Sequence, residues 1–305
     1  MFCKKNMIII RTPLRISLAG GGTDLPAWYK KHGSMFISAA IDKYIYITYH
    51  RSQFDSSIRL RYSKMEEVYD VSHIQHDIIK ETFKLYDIED HVELTSHAEI
   101  PSGTGLGSSG SFGVGIIHAI YGEKANPTFL AKNATYIQMN VLGHPIGVQD
   151  QYAAAFGGTN VFKVSKDGEV TAEPIRPPQG LTLFFTGLKR DANEILRAST
   201  QEGLDKIQAL AWEIKDALED KDYKTYGELM NHHWEYKKKR GGMTNPQIDE
   251  WYKLGLKNGA IGGKLVGAGG GGFLMFYTED NEKLIKAMPL QHVPFGYDFE
   301  GSKII

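Results

Sequence analysis

Three segments of the sequence concentrate glycine with hydroxyl or carboxylate side chains, and each has a composition suited to holding a polar ligand against the backbone. The second of them, PSGTGLGSSGS at residues 101–111, lies between a strand-like run and an apolar run. Backbone N–H groups at a helix start converge on one point, and the helix dipole favours an anion there. Serine hydroxyls can add donors or a magnesium ligand. Phosphate binding is the chemistry this suits, with Pro101, Ser102, Gly103, Thr104, Gly105, Leu106, Gly107, Ser108, Ser109, Gly110 and Ser111 as the candidate set. A Walker A loop ends in Gly-Lys-Ser/Thr, whereas Gly110 is followed by Ser111, so no lysine of this loop reaches the phosphates. Gly105, Gly107 and Gly110 also match G-x-G-x-x-G, a weak signal by itself.

The first segment, RTPLRISLAGGGTDLP at residues 11–26, runs a strand pattern into three glycines and then Thr23-Asp24. Glycines at such a turn let a substrate approach the backbone while Asp24 accepts hydrogen bonds from hydroxyl groups, although a tight turn with a solvated Asp has the same sequence. The third segment, KLVGAGGGGF at residues 264–273, holds more glycine than a hairpin needs. Ordering so many glycines is entropically costly, so close approach to a ligand or to another backbone is the better reading.

The elements that must carry these segments follow from periodicity. Residues 7–10, 41–50, 58–62 and 92–100 read as strands, residues 112–121 as a buried helix, and Asn126-Pro127 as the start of a helix running to Val141 and ended by Gly143. IRPPQG at residues 175–180 breaks all periodicity, which places a boundary between domains 1–178 and 179–305. The second half reads as three helices, then strands at 261–266, 273–277 and 292–299, with a helix at 281–288 between the last two. Two domains also agree with 305 residues at roughly 150 per domain. A content of 42% hydrophobic and 23% charged residues places the chain among ordinary globular proteins, and 33 glycines exceed the usual share of about 7%.

A net charge of −1 with no concentrated basic patch argues against nucleic acid as a partner. The single cysteine, Cys3, cannot form an internal disulfide, which suits a reducing compartment such as the cytoplasm. Residues 7–10 are too short for a signal-peptide core, and no run approaches the roughly 20 apolar residues of a membrane span.

In this order the three segments resemble the three signature motifs of the GHMP kinases, the galactokinase, homoserine kinase, mevalonate kinase and phosphomevalonate kinase superfamily. GVQDQYAAAFGG at residues 147–158 resembles the family segment that carries the catalytic aspartate, here Asp150. The resemblance implies an α+β fold of two domains, the first like ribosomal protein S5 domain 2 and the second ferredoxin-like, with ATP and Mg²⁺ as cofactors and the site in the cleft between them. Within the superfamily, galactokinases carry Glu-His where Gly21 and Gly22 stand here. Together with FFTGLKRDANEIL at residues 184–196, the motifs are most similar to those of the bacterial heptose 7-phosphate kinases, which implies a sugar phosphate as acceptor.

Roles follow from the resemblance. Asp150 would accept the proton of the sugar hydroxyl and Arg15 would pair with it and offset negative charge in transit. Ser109 would bind Mg²⁺, and Gln138 stands where many members place a second metal-binding carboxylate. Gly21, Gly22, Thr23 and Asp24 would contact the sugar, Gly269, Gly270 and Gly271 would close over it, and Lys189 and Arg190 would pair with a distal phosphate. The uncharged Gln138 also leaves a non-catalytic sugar- and nucleotide-binding regulator as an alternative, alongside a kinase for another sugar such as fucose. A dinucleotide-binding oxidoreductase would need alternating strands and helices after residue 111, which the helical opening of the second half does not offer. His232 and His233 face about 100° apart on a helix and read as packing and solvent, and the basic run 237–240 reads as a complement to a helix end.

Overall fold

The computed structural model describes residues 7–189 and 192–305. Its first sheet is built on two long antiparallel strands, β1 (Met7–Ala19) and β2 (Ser34–Arg51), joined through the glycine turn and helix α1 (Pro26–His32). β1 alternates buried and half-exposed positions at first and is buried throughout from Thr12, because helices cover its second half on both sides. The chain continues through β3 (Ile58–Arg61), β4 (Met65–Val68), helix α2 (Asp77–Leu85) and β5 (Val92–Ala98) to helix α3 (Ser108–Tyr121). Helix α4 (Pro127–Thr135) starts on an Asn126 cap whose side chain accepts from the Phe129 N–H, with Pro127 at the first turn. It passes into a π-helical stretch, Tyr136–Val141, and is followed by helix α5 (Gln149–Phe156), β6 (Thr159–Val164) and β7 (Val170–Pro174). The strand order is β12-β1-β2-β5-β3-β4, with β6 and β7 added at the other end of β2.

The second sheet holds β8 (Leu181–Phe185), and after it come helices α6 (Ala192–Ala198), α7 (Leu204–Glu219), α8 (Tyr223–Lys238) and α9 (Pro246–Lys257). Strands β9 (Ala260–Leu265) and β10 (Phe273–Thr278), helix α10 (Asn281–Ala287) and β11 (Gln291–His292) complete an antiparallel order β11-β8-β10-β9. Period-two alternation gives this sheet two faces: Phe273, Met275 and Tyr277 join the core shared with the first sheet, while Leu274 and Phe276 pack with Trp234, Ile248 and Tyr252 on the other side. Ile214, Ala217 and Leu218 on α7 belong to the shared core as well, so one apolar body runs from the first sheet into the second.

Mixed helices and mostly antiparallel strands give the expected α+β class. The chain end departs from a simple split at residue 178. A last strand, β12 (Lys303–Ile304), pairs with β1, and Tyr297 bridges Ile41, so residues 297–304 pack with the first sheet and not the second. The strand expected at 292–299 is reduced to the short Gln291–His292, which pairs with β8, with one further hydrogen bond from Val293 to Leu183.

Candidate active site

The helix expected from residue 112 begins at Ser108, so Ser108, Ser109, Gly110 and Ser111 are its first turn and not loop. The preceding loop is bolted to β1. Arg15 donates its backbone N–H to the Leu106 carbonyl at 3.0 Å and its guanidinium to the Gly105 carbonyl at 2.6 Å. The rest of that guanidinium grips Asp150, with Nε at 2.8 Å and Nη2 at 2.6 Å from Oδ1. Asp150 sits in the first turn of α5, and its side chain is one-third exposed (33%) into the cleft, against 5% for Arg15. Two carboxylate lone pairs are therefore fixed by Arg15, and Oδ2 has no partner among the described residues.

Within the phosphate-loop set the structure separates two groups. Ser102, Gly103, Gly105, Gly107, Ser108, Ser109 and Gly110 line the cleft. The others shape the loop: Thr104 is buried and donates to the Pro101 carbonyl at 2.9 Å, Leu106 is in the core, and the Ser111 hydroxyl donates to the Pro13 carbonyl at 2.8 Å. Gln138 borders the cleft, but its Nε2 donates to the Ser109 carbonyl at 2.9 Å and its Oε1 accepts from Gln151 Nε2 at 2.9 Å. Its amide is engaged at both ends in a 1% exposed position and carries no charge, so the structure gives Gln138 a bridging role and does not mark it as a metal ligand. Gln138 is instead a strut that holds the start of α3 against α5. Gln138→Glu should accordingly lower stability by about 1–3 kcal/mol, since it replaces a buried donor with a carboxylate facing a carbonyl, and thermal denaturation would measure it.

The first segment is also divided. Gly21, Gly22 and Asp24 line the cleft, but Thr23 is fully buried and donates its hydroxyl to the Gly20 carbonyl at 2.8 Å, with Ser34 Oγ at 2.7 Å, so it forms the turn and is shut off from a sugar. Asp24 is not the solvated carboxylate of the simple turn reading. Its Oδ1 accepts from the Gly22 N–H at 2.9 Å and its Oδ2 from the Gln149 N–H at 3.2 Å, and burial raises its pKa against those hydrogen bonds.

In the third segment Gly267 and Ala268 line the cleft, whereas Gly269, Gly270 and Gly271 turn toward Met243 and Leu188. Their expected closure over substrate is replaced by backbone packing: Gly270 N–H donates to the Met243 carbonyl at 2.9 Å, and Gly272 N–H to the Leu188 carbonyl at 2.8 Å. A Cβ on Gly272 would lie 1.9 Å from the Thr104 carbonyl oxygen, so glycine there lets the second domain's loop touch the phosphate loop of the first. Lys189 is exposed and does not border the cleft, and Arg190 lies outside the described residues.

The cleft encloses about 800 Å³, enough for two small ligands to meet. Its lining also includes the contacting rings of Tyr62, His76 and Phe112, an aromatic group no sequence pattern had marked. At the opposite end stand four residues passed over or unremarked in sequence: His233, Lys237, Arg240 and Lys264. Lys264, 2% exposed, donates to the Leu18 carbonyl at 2.8 Å, and burial, reinforced by the charge of Arg15, brings its pKa down to about 7. His233 is held well below its usual pKa by burial and then by Lys264, Lys237 and Arg240, so it is a neutral ring among cations.

The sequence matches the model of the GHMP kinases N terminal domain at residues 73–158 and that of the GHMP kinases C terminal domain at residues 214–292. It is 31% identical to the D-glycero-alpha-D-manno-heptose 7-phosphate kinase of Campylobacter jejuni, over 91% of this chain and 92% of that protein. Among solved structures, a putative sugar kinase from Campylobacter jejuni superposes with a TM-score of 0.78 at 29% identity, covering 99% of both chains. A D-glycero-D-manno-heptose 1-phosphate kinase from Bacteroides thetaiotaomicron gives a TM-score of 0.78 at 25% identity over 98% of both chains. With both domain models in sequence order around one glycine-walled cleft, and a relative matched nearly end to end, the chain belongs to the GHMP kinases.

Proposed function

We propose that this sugar kinase transfers the γ-phosphoryl group of ATP to the anomeric hydroxyl of a heptose 7-phosphate. The observation that carries the reading is the Arg15–Asp150 pair, which stands between the glycine-lined phosphate loop and the polar end of the cleft. Asp150 Oδ2 takes the proton of the anomeric hydroxyl, the sugar oxygen bonds to the γ-phosphorus, and the bond to the bridging β–γ oxygen breaks to release ADP. Arg15, fixed by Gly105 and Asp150, keeps its charge beside the reacting phosphoryl without having to reorganise. The N–H groups at the start of α3 hold the phosphates, and the Tyr62, His76 and Phe112 end receives the base. The donor set also fits Mg²⁺ carried on the nucleotide: the hydroxyls of Ser108 and Ser109, facing the cleft, would hold it, and it would neutralise charge on the transferred group. The name of the Campylobacter relative supports the heptose 7-phosphate acceptor.

A panel of sugars and sugar phosphates assayed for ADP release tests the reading. The expected result is fastest turnover with heptose 7-phosphate, together with thermal stabilisation by ATP and Mg²⁺ and none by NAD. Faster turnover with galactose or fucose would assign another acceptor, and ATP binding without ADP release on any sugar would point to a regulator.

A further inference from the structure

Two side chains at the polar end of the cleft keep polar atoms that have no hydrogen-bond partner among the described residues. They are both ring nitrogens of His233, 1% exposed, and Nε2 of Gln149, 6% exposed. Leaving such buried groups unsatisfied is costly, so their retention in a cleft wall points to a ligand that satisfies them. The same cleft lining includes Arg240, 3% exposed, with Nε donating to the Thr200 carbonyl at 3.0 Å and Nη2 to Ser199 Oγ at 3.3 Å.

These contacts fix the plane of the guanidinium and leave Nη1 against Gly22, where an added Cβ would fall 2.2 Å from it. Gly22 has φ +98°, so both its backbone and its missing side chain are required for the guanidinium to reach the cleft wall. Asp24 favours the charge of Arg240 but directs its own oxygens to the N–H groups of Gly22 and Gln149. Lys264 adds a second basic group, bonded to the Leu18 carbonyl, which an arriving anion would hold in its protonated form. A fixed guanidinium, a neutral imidazole and a buried amine that an anion can protonate form a site for a phosphate dianion, and the Gln149 amide in the same cleft wall suits a hydroxyl.

We propose that the substrate's distal phosphate is anchored by Arg240 and His233 in this end of the cleft, with Gln149 donating to a sugar hydroxyl. The proposal rests on the heptose 7-phosphate reading above and places the anchor here instead of at Lys189, which is exposed and does not border the cleft, and Arg190, which lies outside the described residues.

Calorimetric binding of D-glycero-D-manno-heptose 7-phosphate and of the same heptose without phosphate, to the wild type and to Arg240→Gln, tests it. The expected result is a wild-type preference for the phosphorylated sugar of at least about tenfold. Arg240→Gln should bind the phosphorylated sugar roughly ten- to hundredfold more weakly and the other sugar nearly as before. If Arg240→Gln unfolds, Arg240→Lys keeps the charge without the planar fork and should lose part of the preference. A preference that survives in both variants, or that disappears in Lys189→Gln instead, overturns the anchor while the acceptor reading stands. Absence of any preference in the wild type overturns the phosphorylated acceptor, and the anchor with it.

Discussion

Asp150→Asn should leave ATP binding close to that of the wild type and lower kcat by at least about a hundredfold, the scale of a lost general base. Arg15 places both Nε and Nη2 on a single carboxylate oxygen, so the other oxygen is the one able to receive a proton. An asparagine can still present an oxygen to Arg15, which keeps the α5 start and the phosphate loop joined through Arg15 and Gly105. What it cannot do is accept the hydroxyl proton, because the second position becomes an NH₂ donor. The loss should therefore fall on kcat and leave the ATP dissociation constant almost unmoved, and single-turnover kinetics with calorimetry separate the two. Wild-type turnover in a normally folded Asp150→Asn protein would remove Asp150 from the proton transfer.

The proposed catalytic half of the site was legible in the sequence because its parts are local. A glycine-serine run before an apolar helix is read within a dozen residues, the segment with Asp150 was marked by its resemblance to the family's, and the structure joins the two through Arg15. The proposed substrate half was not legible, because it is assembled from residues far apart in sequence. His233, Lys237 and Arg240 look like a helix face and a basic helix end, and only the packing of α8 beside β9 and the glycine turn brings them to the cleft. Thr23 and Gly269 to Gly271 fail for the converse reason. Their composition suits a ligand, but a backbone turn at Gly20 and a loop-to-loop contact at Met243 and Leu188 claim them first. The π-helical turn that carries Gln138 was likewise invisible to a 3.6-residue period, which treats residues 127–141 as one face. The short helices α1, α2 and α6 and the returning strand β12 left no pattern long enough to read.

Gly110→Ala should reduce kcat by about a hundredfold while changing stability by little more than about 2 kcal/mol. Propensity alone argues the opposite sign: Gly110 is in the first turn of α3, where alanine is favoured over glycine by up to about 1 kcal/mol. Packing overrides it. The new Cβ would lie 2.5 Å from Asp150 Cβ and 3.1 Å from both the Asp150 carbonyl carbon and the Gln151 nitrogen. These are backbone or near-backbone atoms of α5, with no flexible side-chain end to yield, so restoring an ordinary carbon contact of about 3.5–4 Å requires α3 and α5 to separate by roughly 1 Å. Such a shift moves Asp150 relative to the phosphates that the same turn holds, and a misplacement of 1 Å costs on the order of a hundredfold in rate. Gly113→Ala supplies the contrast one turn further along α3, where the nearest atom is Gln138 Nε2 at 2.5 Å, a side-chain terminus that can move aside. Its expected loss is in stability, through the Gln138 strut, with a much smaller effect on kcat. Melting temperature and kcat measured on both variants decide the matter: a folded Gly110→Ala enzyme with wild-type kcat would show that the spacing of α3 and α5 does not set the geometry of transfer.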